Sequence, residues 1–449
     1  MLLRGKIKAL SVLTMALQSL IVPLFAYSLE FNEGPINYNV TGQNVVQVIS
    51  LTDNSSKNID IPDIVSHSGI DYSVNSIGPK AFYGSSVESV TIPESLTFIG
   101  KEAFANTQLN RINIPSIEIW LNIKKDYLYI EHMYEPYQEL PFDQPYSLYV
   151  NDSLIEKVII PESISNIEPF GFYYSKIESV ELSNYVSEIG HHAFKNCYAL
   201  EEVLLLDNLI EIEEKAFENC TSLKSIMIPS SLKSLSKDVF HGCESLESAY
   251  FNDGVTNIGS RAFLNCFSLS DLHLPASLTE VEAGAFDNCS SLTEIIYPEG
   301  FKISNGATNR TIGEDIICEA LEYVYFPAST EIIKDSWKNT PSLKVLEVAA
   351  EIPPYCYGDI TSNLNSWNVP EECTLFVPKN SMELYRESPS WGRFNNIVGK
   401  DFDNTTKVDS YINHIFSDDV IYDLNGKRID PKVITPGFYI RNGKKFVVR

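Results

Sequence analysis

Eight cysteines and seven histidines are the side chains of this 449-residue sequence best suited to metal or nucleophilic chemistry. The histidines are His67, His132, His191, His192, His241, His273 and His414. None falls in an HExxH arrangement, the spacing that brings two imidazoles to one helical face for zinc. No GxSxG turn exposes a serine nucleophile, and no GxGxxG or GxxxxGK[ST] loop cradles phosphate. His191-His192 is the most metal-like pair, but comparable segments hold Lys101-Glu102, Glu214-Lys215 and Ser260-Arg261 at the same place, so it reads as a solvated, variable loop. The acid pairs Glu213-Glu214 and Asp418-Asp419 lie on turns with no apolar pocket beside them, and read as solvated surface instead of a general acid and base. The sequence therefore assigns no catalytic residue, no metal and no cofactor.

The cysteines point instead to the elements that carry them. Cys197, Cys220, Cys243, Cys266 and Cys289 recur every 23 residues, in step with Ala193-Phe194, Ala216-Phe217, Val239-Phe240, Ala262-Phe263 and Ala285-Phe286. The unit is I-G-x-x-A-F-x-x-C-x-x-L-x-x-V-x-I-P-x-x-L-x-x-I, and its frame reappears at Ala81-Phe82 and Ala103-Phe104, 22 residues apart. A period of this length marks a repeat architecture. Within the unit, L-x-x-V-x-I-P alternates apolar and polar residues and stops at a proline, which cannot donate to a continuing ladder; this predicts a short strand. The segment around A-F reads as a turn of helix. Ordering the 23 residues of one unit costs at least ~23 kcal/mol, while burying its six or so apolar side chains returns only ~10 kcal/mol. No unit folds alone. Stacked units bury a continuous core, which predicts an α/β repeat: a strand-rich solenoid with parallel strands along one face and short helical turns opposite.

At these positions the chain resembles the BspA-like leucine-rich repeat family, whose units carry I-P-x-S-L-x-x-I-G-x-x-A-F-x-x-C-x-x-L. Ile92-Pro93, Ile228-Pro229 and Leu274-Pro275 fall in frame with the Cys and Phe positions over roughly residues 58–400. The resemblance implies a curved leucine-rich-repeat solenoid on an exported bacterial protein, often of Bacteroidetes, with binding or surface attachment as its role. It names no ligand. Two stretches depart from the frame. Residues 116–146 replace A-F-x-x-C with Trp120-Leu121 and a Tyr-rich stretch, and Cys289 to Cys318 spans 29 residues. Both are expected as loops on one face or edge.

Cys197, Cys220, Cys243, Cys266, Cys289 and Cys318 occupy equivalent ladder positions. Each would face two equal partners, at the ~4.8 Å spacing of stacked strands, so buried thiols bonded to loop backbone are expected rather than disulfides. Cys356 and Cys373 lie outside the ladder, and a bridge between them in an oxidising compartment stays open. Between the inward V and I of each strand lies one outward residue. In successive units it is Ile159, Glu181, Leu204, Met227, Tyr250, His273, Ile296, Tyr325 and Glu347, with Tyr323 beside Tyr325. From Leu204 to Tyr325 the row is apolar or aromatic apart from one His, an exposed stripe ~25 Å long at ~4.8 Å per strand. Such stripes mark interaction surfaces. Leu204, Met227, Tyr250, His273, Ile296, Tyr323 and Tyr325 are thus the candidate ligand-binding residues. The alternatives are that β propensity alone fills the row, or that a terminal segment or the 116–146 stretch covers it.

The ends of the chain bear on location. Arg4, Lys6 and Lys8 precede an apolar run from Ala9 to Ala26 that closes on Ala26-Tyr27-Ser28, the form of an export signal cleaved after Ser28. Gln18, Ser19 and Pro23 make it a poor spanning helix, so no transmembrane span is expected in the mature chain. The formal net charge of −25 argues against nucleic acid as a partner. The expected organisation is a signal at 1–28, an N-terminal cap at 29–57, the solenoid at 58–400, a linker at 401–412 and a basic C-terminal β module at 413–449. That module, with D-L-N-G-x-R and G-x-Y-I-x-N-G-K-K around Asn425-Gly426 and Asn442-Gly443, is similar to the sorting tails of exported Bacteroidetes proteins; a plain β cap is the alternative. Asp152-Ser153-Leu154 resembles an O-glycan acceptor of that phylum. The resulting reading is a non-enzymatic, exported, secreted or cell-surface protein that binds a host or environmental protein or glycan. The alternatives are an exported enzyme with a loop-built site or a structural cell-envelope component.

Overall fold

The computed structural model describes residues 29–129, 138–304, 318–334, 340–357, 370–402, 421–423, 428–429, 437–441 and 444–448. The expected signal at 1–28 and residues 403–412 of the expected linker lie outside them. Along each L-x-x-V-x-I segment side chains alternate, as a strand's period of two requires. Val180, Val203, Ile226, Ala249, Ile295 and Val324 are buried, as are Leu182, Leu205 and Ile228 two residues further on.

Each of these front strands pairs in parallel with its counterpart one unit along. Lys157–Ile159, Ser179–Glu181 and Glu202–Leu204 form one block. Ser225–Ile228, Ser248–Phe251 and Asp271–His273 form a second. Glu294–Ile296, Tyr323–Phe326, Val345–Val348, Thr374–Pro378 and Asn396–Lys400 form a third. The L-x-x-I half of the unit supplies a second, shorter strand after the proline, as in Ser234–Leu235, Asn257–Ile258 and Glu280–Val281, and these back strands stack in parallel as far as Tyr355–Tyr357.

The A-F segments are tight turns, and the fold is mostly strand with little helix. Two residues in each unit, two before and two after the phenylalanine, adopt left-handed φ: His192 and Asn196 around Phe194, Lys215 and Asn219 around Phe217, Arg261 and Asn265 around Phe263. Left-handed backbone costs a non-glycine residue roughly 1–2 kcal/mol and ends any helical run, which accounts for the Asn in these turns. At Gly242, the same position beside Phe240, glycine takes the left-handed φ without strain, and an added Cβ would lie 2.3 Å from Asn219 Oδ1, so that side chain would have to move. The turns bond between units. The N–H groups of Phe194, Phe217, Phe240 and Phe263 donate to the carbonyls of Ala216, Val239, Ala262 and Ala285 at 2.8–2.9 Å. Their rings stack with centroids 5.0, 5.4 and 5.4 Å apart.

Residues 116–146 correct the expectation of a surface loop, because much of the stretch is a unit of the solenoid. Ser116 Oγ accepts the Ile119 N–H and caps the helix Ile117–Asn122. Lys124–Lys125 pairs with Phe98–Ile99 in the back stack, and Phe142 stacks on Phe104 at 5.4 Å. Ser147–Val150 then pairs with Arg111–Ile114. Trp120 is fully buried and donates its indole N–H to Gly171 O at 2.9 Å. Large apolar side chains such as Trp120, Leu121 and Phe142 gain most from core positions, so the stretch folds inward. The extra length before Cys318 falls mainly at 305–317, outside the described residues.

Antiparallel strands Glu30–Glu33, Ile36–Gly42 and Val45–Leu51 close one end, the last pairing in parallel with Ile70–Ile77. At the other end Tyr385 on the helix Met382–Glu387 donates its hydroxyl to Ala350 O at 2.8 Å, and Trp391 donates its indole N–H to Pro354 O at 2.9 Å. Ile421–Asp423, Arg428–Ile429, Gly437–Arg441 and Lys444–Val448 make an antiparallel sheet of their own. Asn425-Gly426 and Asn442-Gly443 lie outside the described residues.

Candidate binding face

Strand register aligns the outward residues within each block, and the three blocks continue the row from unit to unit. It runs Ile159, Glu181, Leu204 in the first block, Met227, Tyr250, His273 in the second, and Ile296, Tyr325, Glu347 in the third. Phe376 continues it beyond Glu347. Leu204, Met227, Tyr250, His273, Ile296 and Tyr323 are half-buried, so their outer faces remain available.

The centre of the row is a fixed aromatic platform. The Tyr250 ring stacks on His273 at 4.6 Å with 10° between the planes. Both are anchored to Asp271, which lies on the strand of His273 and next to that of Tyr250: Tyr250 donates its hydroxyl to Oδ2, and His273 Nε2 lies 2.6 Å from Oδ1. Burial acts to raise the Asp271 carboxyl, but the hydrogen bonds from His273 and Tyr250 outweigh it and hold the group below its ordinary range. The carboxylate therefore stays charged and keeps two side chains in one orientation, presenting a flat surface at little further entropic cost. Asp271 was absent from the sequence candidates, though its place two residues before His273 puts it on the same face.

The C-terminal end of the row departs from the expected exposed stripe. Tyr325 is 8% exposed and Glu347 only 3%. The cause is the end of the last front strand and the two residues that follow it. Lys400 Nζ donates to both Glu347 oxygens at 2.7 and 2.8 Å, and the Phe402 ring lies 6.5 Å from that of Tyr325. Tyr325 donates its hydroxyl to Glu299 Oε1 at 3.0 Å. Burial, reinforced by Glu347 for Tyr323 and by Glu299 for Tyr325, pushes both phenols up, so neither ionises near neutral pH. Tyr325, Glu299, Glu347, Lys400 and Phe402 line a cavity of about 910 Å³. Of the sequence candidates, Leu204, Met227, Tyr250, His273 and Ile296 thus lie on an accessible face, while Tyr325 lines a recess.

The family model for the BspA type leucine-rich repeat region matches in six copies, over residues 55–129, 145–266 and 211–344, more than half of the chain. The chain belongs to the BspA-type leucine-rich repeat family. A solved leucine-rich repeat protein from Bacteroides ovatus is similar in fold, with 21% identity over 84% of this chain and 89% of that one and a TM-score of 0.50. A leucine-rich cell surface protein from Faecalibacterium prausnitzii matches at 22% identity over 71% of this chain and 94% of its own, with a TM-score of 0.42. The pneumococcal vaccine antigen PcpA matches at 15% identity over 84% and 99%, with a TM-score of 0.43. No curated protein matches the chain.

In this BspA-type frame the six ladder cysteines, Cys197 to Cys318, are buried and free. Cys220, Cys243 and Cys266 donate through Sγ to the carbonyls of Phe194, Phe217 and Phe240 in the preceding unit, at 3.2–3.3 Å. Cys197, Cys289 and Cys318 make the same bond to Phe172, Phe263 and Phe286. Burial pushes the ladder thiols up, so they are poor nucleophiles. Cys356 and Cys373 are also buried.

His191-His192 requires a correction, because the pair is not a solvated loop. His192 is 1% exposed and stacks on Phe170 at 5.0 Å, while Tyr127 from the 116–146 unit lays its hydroxyl 2.7 Å from His191 Nε2. His191 Nδ1 in turn lies 3.0 Å from His192 Nδ1. Burial first, then the charges of Lys195, His191 and Lys215, push His192 down to about 2. Among the described residues no group of three or more His, Cys, Asp or Glu could hold a metal ion, and no helix is long and apolar enough to cross a membrane.

Proposed function

We propose that this BspA-type protein is an exported, non-enzymatic binding protein that holds a host or environmental macromolecule, protein or glycan, against its front strands in surface attachment. The observation that carries the reading is the Tyr250–His273 stack fixed by Asp271 in mid-row. Rigid aromatic surface is suited to stacking on sugar faces and to filling pockets on proteins. Export is supported by the leader pattern before Leu29 and by the sorting-like pattern of 413–449.

The test is an array of glycans and immobilised matrix proteins probed with the full chain and with Tyr250→Ala/His273→Ala. The double variant keeps the buried V and I positions and should melt within a few degrees of wild type. It is expected to lose at least about tenfold in affinity for whichever component the wild type retains, as removal of a central aromatic anchor does. Equal retention by a folded double variant would overturn the assignment.

A further inference from the structure

The cavity at the C-terminal end of the row differs from the rest of the face in chemistry. Its walls carry five carboxylates, Glu299, Glu331, Glu347, Glu351 and Asp401, against two ammonium groups, Lys379 and Lys400. Lys400 pairs with Glu347, and Lys379 pairs with Asp401. Among the described residues no Lys or Arg pairs with Glu299 or Glu351. On a chain of net charge −25, such a recess repels anions and draws cations. Its floor includes Thr330, only 4% exposed, whose Oγ1 has no hydrogen-bond partner among the described residues. A buried hydroxyl left unbonded is costly, so one bordering a cavity points to a polar occupant.

The cavity already shows how an ammonium sits in it. Lys400 Nζ rests on the Glu347 carboxylate with the Phe376 and Phe402 rings at 5.7 and 5.4 Å, an arrangement that combines an ion pair with cation–π attraction. Glu299 accepts the Tyr325 hydroxyl at 3.0 Å and has no ammonium against it among the described residues. Pro353, Pro354 and Ile352 supply apolar wall for the methylene stem of such a side chain.

We infer that this cavity binds a cationic peptide segment, one lysine or arginine side chain pairing with the Glu299 carboxylate beside its bond to Tyr325. The inference rests on the reading of the chain as a binding protein and names the chemistry of one partner. A peptide is favoured over a neutral glycan because an excess of carboxylates adds nothing to the capture of an uncharged ligand that hydroxyls and amides would not supply.

The test titrates the full chain into a fluorescein-labelled, end-capped peptide of glycines interspersed with three lysines or arginines, beside its glutamine counterpart and the neutral oligosaccharide maltohexaose. Expected is binding of the basic peptides alone, weakened at least about tenfold between 50 and 500 mM salt. Glu299→Gln and Glu351→Gln should each weaken it by about threefold to tenfold. Glu178→Gln and Glu201→Gln, which remove exposed charges elsewhere, should change it by less than about twofold. Equal losses from all four variants would show diffuse charge attraction and overturn the inference, as would binding of the glutamine peptide with the same affinity. Binding of maltohexaose that depends on Glu299 would replace the peptide with a glycan. If the Tyr250→Ala/His273→Ala protein loses its array component while these peptides do not bind, the front-row reading stands and this one falls; the reverse pattern separates them in the other direction.

Discussion

Replacing Lys125 with methionine should stabilise the protein, by an amount that depends on pH in a way the structure fixes. Lys125 is 7% exposed, with Nζ 3.3 Å from the carbonyls of Trp120 and Ile123 and 4.3 Å from the centre of the Trp120 ring. Burial pulls its ammonium down from an ordinary value of 10.5 to about 7, against a smaller opposing pull from Glu168. Between those two pH values the unfolded chain holds the proton and the folded chain does not, so folding stability rises with pH across the window, by about 1.4 kcal/mol per pH unit. At or below pH 7 the penalty is fully present, ~5 kcal/mol, and it fades toward pH 10.5. Lys125→Met retains the stem and removes the charge. It also loses two hydrogen bonds worth about 1 kcal/mol each, which leaves a net gain of ~3 kcal/mol at pH 7. Urea unfolding followed by tryptophan fluorescence, which includes Trp120 beside the site, should show this advantage shrinking steadily from pH 7 to pH 9. An advantage that does not change with pH, or a loss at pH 7, would refute the reasoning.

Phe217→Ala removes a buried ring stacked between Phe194 and Phe240 and should cost about 3–5 kcal/mol, read as a shift in urea midpoint. Cys243→Ser shortens the donor to the Phe217 carbonyl in an apolar setting, with an expected cost of about 1–3 kcal/mol; in the wild type, Cys243 should resist thiol reagents until the chain unfolds, and rapid native labelling would contradict the buried ladder. His192 stays neutral in the fold well below its ordinary 6.5, so the unfolded state gains a proton first and stability drains away as pH falls below 6.5, by up to about 1.4 kcal/mol per unit. His192→Asn, which tolerates the left-handed backbone there, should flatten that acid limb in midpoints measured at pH 5 and 7.

The repeat made the strands legible, because the V and I positions are fixed by a core that every unit shares. Cys197 through Cys318 carried the same information, since a position that recurs identically in a stack is usually facing the same interior. The turn at A-F was misjudged because alanine and phenylalanine suit a helix, while the backbone is decided by the left-handed residues on either side, such as Lys215 and Asn219. His192 and Lys125 were hidden for a different reason. His192 lies under the Phe170 ring, which itself packs on Tyr127, and Lys125 lies against Trp120; Tyr127 and Trp120 belong to a divergent unit that no neighbouring repeat predicts. The cavity was out of reach for the same kind of reason: Lys400 ends the last front strand and Phe402 follows it, outside the repeating motif, and only the folded chain brings them against Glu347 and Tyr325.

The central claim, that the front strands are the recognition surface, is tested most directly by hydrogen–deuterium exchange of the full chain with and without the array component it binds most tightly. The account predicts slowed exchange in peptides covering Ser225–Ile228, Ser248–Phe251 and Asp271–His273, centred on Tyr250 and His273. Protection confined to the back strands such as Asn257–Ile258, or to the A-F turns, would contradict it.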